Sequence, residues 1–162
     1  MKTRRHLPLA TLLVVSCLSS CGTIDHDPAI DRASFKIGDP FSRTLYEISG
    51  DRASKWSLTD NEQHKKREAK LRLSPAKVQA FWKAIDEAEV EKWLPVYLQT
   101  HFDGRSEYGD WTLNVVKSGK SFQSGGGQAF PSDSDPRNRT DLKYTQRFEK
   151  VEHAFELLVD RL

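Results

Sequence analysis

Arg67-Glu68-Ala69-Lys70-Leu71-Arg72-Leu73-Ser74-Pro75-Ala76-Lys77-Val78-Gln79-Ala80-Phe81-Trp82-Lys83-Ala84-Ile85 changes its period half-way along. Up to Leu73 it alternates, with Ala69, Leu71 and Leu73 on one side and Glu68, Lys70 and Arg72 on the other. A period of two describes a strand packed on one face and wet on the other. From Ser74 the period becomes helical: Ser74 is the N-cap, Pro75 takes the first helical position, and Val78, Phe81, Trp82 and Ile85 form one apolar stripe. A half-wet strand leading into an amphipathic helix is the signature of an α+β domain.

The same reading extends in both directions. Residues 44–48 are rich in strand formers and stop at Gly50-Asp51, a turn signal. Residues 55–59 alternate as a second strand, and residues 60–66 read as a charged loop. After the helix, Val90, Trp93 and Leu94 tuck beneath it until Pro95 stops the run. Residues 111–116 and 121–124 flank Lys117-Ser118-Gly119-Lys120 as a hairpin. With Ser118-Gly119 as a two-residue turn, Val115 faces Phe122 and the bulky Trp111 faces Gly126. Residues 131–139 read as a polar loop, after which Thr140 or Asp141 caps a last helix with Phe148, Val151, Phe155, Leu158 and Leu162 on one face. The expectation is an antiparallel sheet of four to five strands with two helices packed on one face. The halves echo each other, Lys55-Trp56-Ser57-Leu58 against Asp110-Trp111-Thr112-Leu113. A duplicated strand-strand-helix unit and the ordinary vocabulary of α+β domains account for that echo equally well.

The first two dozen residues carry a different message. Lys2, Arg4 and Arg5 precede an apolar run over 7–15 that is too short to span a bilayer. Leu18-Ser19-Ser20-Cys21 then resembles the lipobox of bacterial lipoproteins. The resemblance implies cleavage before Cys21 and a diacylglyceryl group on its thiol, anchoring the chain to a membrane. Gly22, where inner-membrane lipoproteins carry Asp, implies the outer membrane, with the domain facing the periplasm. Val14-Val15-Ser16-Cys17 is a second, weaker box behind a shorter apolar run. The expected organisation is therefore a removed signal over 1–20, a lipidated N-terminus and tether over 21–40, and a single domain over 41–162. The tether, punctuated by Pro28, Gly38 and Pro40, would reach at most ~60 Å.

Processing at Cys21 alters the chemistry that remains. The two cysteines are Cys17 and Cys21, so the domain has no disulfide, no thiolate metal site and no cysteine nucleophile. Loss of Lys2, Arg4 and Arg5 takes Lys plus Arg from 25 to 22 against 23 Asp plus Glu, and nothing in that near-neutral balance asks for nucleic acid. No cofactor motif is present. Gly119-Lys120-Ser121 lacks the earlier glycine of a phosphate loop and sits in a hairpin turn.

His101, Asp103 and Glu107 share one loop, which in a cleft with residues 132–135 is the starting point for the envelope-enzyme alternative, but without metal-ligand spacing they read as a solvated connection. Ser132-Asp133-Ser134-Asp135 reads as a turn, and His153 among Glu149, Glu152 and Glu156 as a charged helix face. Lys65-Lys66-Arg67, between Glu62 and Glu68, would at most orient the domain on anionic headgroups. Gly125-Gly126-Gly127 is less ordinary, since three glycines weaken a strand by up to ~1 kcal/mol each relative to alanine. They either let Trp111 lie across the sheet or admit a partner, so Trp111 with Gly125, Gly126 and Gly127 forms a candidate contact edge. The resulting expectation is not an enzyme but a lipid-anchored binding module with an envelope protein as partner, inhibitor- or immunity-like, with an outer-membrane assembly or structural factor as the alternative.

The lipobox generates a direct test. Cys21→Ser should abolish incorporation of labelled fatty acid and leave an uncleaved precursor, whereas Cys17→Ser should be processed normally. Label on the Cys21→Ser chain would overturn the assignment.

Overall fold

Arg32-Ala33-Ser34-Phe35-Lys36-Ile37 alternates along β1 (Arg32–Gly38), a strand paired with neighbours on both edges. The computed structural model describes residues 30–39, 41–59, 64–98, 109–137 and 139–160, without the side chains at 59 and 64–69. β1 corrects the expected tether over 21–40: the domain begins by Asp31, not at 41. The stretch reads as polar because small Ala33 takes one inward position and only Phe35 and Ile37 are bulky, between charged and polar neighbours. Phe35 is nevertheless fully buried.

Six further strands complete the main sheet: β2 (Ser42–Ser49), β3 (Arg52–Thr59), β4 (His64–Arg72), β5 (Tyr97–Leu98), β6 (Asp110–Lys117) and β7 (Lys120–Gly127). Their order is β4-β3-β2-β1-β6-β7-β5, antiparallel except where β5 runs parallel to β7. The sheet thus has seven strands rather than four to five. The two unread strands are β1, hidden by its small residues, and β5, which is only two residues long. β4 begins at His64, inside the expected loop, and its register against β3 shifts between Lys55 and Trp56. β8 (Phe130–Pro131) and β9 (Thr140–Asp141) form a separate ribbon.

Both helices lie on one face of the sheet. α1 (Pro75–Glu87) starts as its sequence dictates, with Ser74 Oγ accepting from the Lys77 N–H and Pro75 at the first turn. α2 (Gln146–Val159) is capped by Thr145, and not by Thr140 or Asp141, which are occupied in β9. The Asp133 carboxylate also takes the N–H groups of Gln146 and Arg147, at 2.9 and 2.8 Å, so the turn over 132–135 serves the start of α2. Phe155 of α2 stacks on Phe35 at 5.4 Å and meets Phe81 of α1 edge-on at 4.9 Å, so strand and helices share one core. Among the described residues no helix is long and apolar enough to cross a membrane.

The hairpin β6–β7 has the expected register, with Val115 opposite Phe122 and Trp111 opposite Gly126. Ser118 and Gly119 both have positive φ, 50° and 74°, the backbone of a tight hairpin turn. Trp111 is 2% exposed, and its indole N–H donates to the Ala129 carbonyl at 2.9 Å. A Cβ at Gly126 would lie 2.5 Å from that same carbonyl oxygen and 2.9 Å from the indole nitrogen, so the glycine is a packing requirement. The echo between the halves does not extend to these side chains. Trp111 faces the helices, whereas Trp56 bonds Glu47 on the opposite face of the sheet.

Gly126→Val should therefore cost about 2 kcal/mol or more and lower the melting temperature by several degrees. Gly127→Ala, whose Cβ would meet only the movable Asp110 carboxylate, should melt close to wild type. Equal melting of Gly126→Val and wild type in a thermal scan would refute the packing role.

Candidate functional site

One face of the sheet carries the helices, and the residues between the buried positions look the other way. Three cross-strand rows cover this second face. The first is Val116, Arg32, Ser49, Arg52 and Arg72; the second is Asn114, Ser34, Glu47, Ser54 and Lys70. The third runs Thr112, Lys36, Leu45 and Trp56. Neighbouring strands are ~4.8 Å apart, so each row is a continuous line of side chains.

Small residues in the middle of these rows let the twisted sheet form a concavity of about 520 Å³. Its lining includes Arg32, Ser34, Glu47, Arg52, Ser54, Lys70 and Asn114. Glu47 organises the floor: its Oε2 accepts from the Trp56 indole N–H at 2.9 Å and from Ser54 Oγ at 3.1 Å. The Trp56 N–H also approaches Ser54 Oγ at 3.2 Å. Asn114 Nδ2 donates to Ser34 Oγ at 3.3 Å. Side chains bonded to one another in this way present a fixed pattern of hydroxyl, amide and carboxylate groups. The rim is basic, with Arg52 and Lys70 exposed and the Arg72 side chain 86% exposed. Arg72 bonds Asp51, and that contact holds the Asp51 carboxyl below the usual carboxylate range.

A second hollow, about 400 Å³, lies along the seam of the two helices between Ala80, Phe81 and Ala84 on α1 and Ala154, Leu157 and Leu158 on α2. It is a trough left by facing alanines where two helices pack. Lys77 crosses one end to bond the Leu157 carbonyl at 3.1 Å, closing the seam in the manner of a packing contact.

The sequence-derived candidates fare differently. Trp111 is in the core and presents no contact surface. Gly125, Gly126 and Gly127 are approached by the chain itself: the Gly125 N–H bonds the Pro95 carbonyl at 3.1 Å, and β5 pairs Tyr97 with Gly126 and Leu98 with Gly127. That corrects the expected contact edge, whose approach side is filled from within. Cys21, His101, Asp103 and Glu107 lie outside the described residues. Among the described residues no group of three His, Cys, Asp or Glu side chains is placed to hold a metal ion.

Glu47, Ser54, Trp56, Arg32 and Arg52 were missed. Their signal was the outward half of the same alternation that reveals the core. No family model matches the chain, and no characterised protein matches its sequence.

Two titrating groups show how the helical face differs from the open one. Burial pushes the Tyr97 phenol up to about 12, and its oxygen donates to the Pro136 carbonyl at 2.5 Å, a structural role. Burial, with Glu156 and Glu149 beside it, pushes the Glu152 carboxyl on α2 up to about 7 from 4.5. The folded chain then keeps a proton that the unfolded chain has released. Stability contributed at Glu152 is intact below pH 4.5, falls as pH rises towards about 7, and stays low above it. Glu152→Gln should accordingly raise stability at pH 8 by about 1–2 kcal/mol, after discounting its partial exposure, and leave it nearly unchanged at pH 4.5. Denaturant melts at the two pH values check this; an equal gain at both would refute the titration.

Proposed function

We propose that this protein is a lipid-anchored binding module of the cell envelope, held through Cys21 in the outer membrane on its periplasmic side. In this reading it holds a protein partner on the bare face of its sheet, as an inhibitor or immunity protein does. The observation that carries the reading is that face, which no helix covers among the described residues. A seven-stranded sheet has its helices on one side only, and the other side offers bonded polar groups, a half-buried indole and a basic rim instead of an apolar layer. Tryptophan and arginine set around a hydrogen-bonding floor are the residue types that anchor protein interfaces.

The anchor reading rests on Leu18-Ser19-Ser20-Cys21. The short distance between that cysteine and the domain adds a geometric consequence. Asp31 stands ten positions after Cys21, a reach of ~33 Å against the ~60 Å of a tether ending at 40. Asp31 is stitched to two turns, its carbonyl accepting from the Gly50 N–H at 3.1 Å and its carboxylate from the Ser118 N–H at 2.7 Å. In the anchored protein, the pole carrying those turns is therefore the one nearest the membrane.

The test is residue-specific photo-crosslinking in intact cells. A crosslinker at Ser49, on the bare face, should trap a discrete polypeptide, while one at Ala80, exposed beside the seam of the two helices, should trap none. Crosslinks from Ala80 alone, or from neither position, would refute the assignment of the face.

A further inference from the structure

We infer that the partner surface received by the bare face is an acidic stretch of polypeptide, whose carboxylates are taken by the arginines of the rim. This rests on the reading of that face as the binding surface and adds the chemistry of its partner. Charge is the first argument. Among the described residues the lining of the concavity carries Arg32, Arg52 and Lys70 against the single carboxylate of Glu47, with the Arg72–Asp51 pair on its rim. The helices and the turn that follows α1 carry seven carboxylates and five cations between residues 75 and 159. The concavity is thus positively charged, whereas the helical layer is negative.

The arrangement of that charge is the second argument. Arg52 stands directly opposite Arg72 in the β3–β4 ladder. Like charges in that position destabilise a sheet, and one carboxylate serves both, Asp51 being hydrogen-bonded to Arg72 and also feeling the Arg52 charge. Such a pair is a cost to the free domain that an incoming carboxylate relieves. Two of the three lining cations are arginines, whose planar fork matches a carboxylate with two parallel hydrogen bonds.

Shape and floor decide between polypeptide and membrane. A flat bilayer would touch only the rim of a concavity of about 520 Å³ and leave Ser34, Ser54 and Asn114 without contact. A protruding peptide segment reaches the floor, where hydroxyl and amide groups meet its backbone, and packs beside Leu45 and Trp56.

The test uses the full chain with Cys21→Ser and two probes, a fluorescent poly-glutamate peptide and phosphatidylglycerol vesicles. The peptide should bind with an affinity that falls as salt rises. Arg32→Glu with Arg52→Glu should weaken it at least about tenfold, whereas Lys83→Glu with Lys143→Glu should leave it unchanged. Arg52→Gln, the milder change at an exposed site, should weaken it to a lesser degree and melt no lower than wild type. Unaltered binding by the reversed variant, or binding to vesicles but not to peptide, would overturn the inference. The Ser49 crosslink separates this from the parent reading. If the trapped segment is rich in Asp and Glu, and trapping is lost on Arg32→Glu with Arg52→Glu, both stand. If trapping persists in the reversed variant, the face still binds a protein but the acidic partner falls. If Ser49 traps nothing, the parent reading falls first.

Discussion

Phe148 is the side chain against which every layer of the domain is placed. Its ring lies 5.8 Å from Phe35 of the central strand, 5.0 Å from Trp111, 6.4 Å from Trp93 below α1, and 4.7 Å from Phe130 of the small ribbon. Tyr144 closes the group at 5.0 Å. Most of these contacts are edge-on or tilted, which aromatic quadrupoles favour, so the cluster specifies orientation as well as proximity. No cysteine follows residue 21, and the layers are joined by this cluster where small exported domains often use disulfides. Because all of it lies on one side, the second face of the sheet is left without a helical layer among the described residues.

How much of this was legible in the sequence depended on side-chain size. The hairpin of β6 and β7 could be read to the residue, because a tryptophan opposite a glycine admits one register and a Ser-Gly turn enforces it. The start of α1 was as clear, since Ser74 and Pro75 are local signals that need no tertiary help. β1 was not legible, although its alternation is regular. Ala33 contributes too little apolar surface to stand out, and the strand owes its place to ladders on both sides. The cap of α2 failed for a related reason: Thr145 and Asp133 act together across thirteen residues of chain. The candidate site was the least legible part. Serines and arginines between core positions look like ordinary wet-face residues until strand order brings Ser34, Glu47 and Ser54 side by side.

The two faces of the sheet therefore divide labour by residue volume. Positions facing the helices hold Phe35, Tyr46, Ile48, Trp111 and Leu113, which supply the stabilising burial. Positions between them hold Ser34, Glu47, Ser49 and Ser54, which contribute little to burial and leave room above the backbone. Substitutions on the second face can vary the chemistry it presents while the aromatic core stays as it is. That is how a single scaffold accommodates different recognition tasks.

The position of β1 also has a mechanical meaning. The chain ahead of Asp31 leads straight into a strand held by β2 on one side and β6 on the other. A pull directed along that strand loads both ladders in shear, so their hydrogen bonds must give way together rather than open one after another. An edge strand under the same load would have one ladder to resist it, and a helix would have none. Under the proposed anchor, a pull on the chain ahead of Asp31 would thus meet the most firmly held strand of the sheet first.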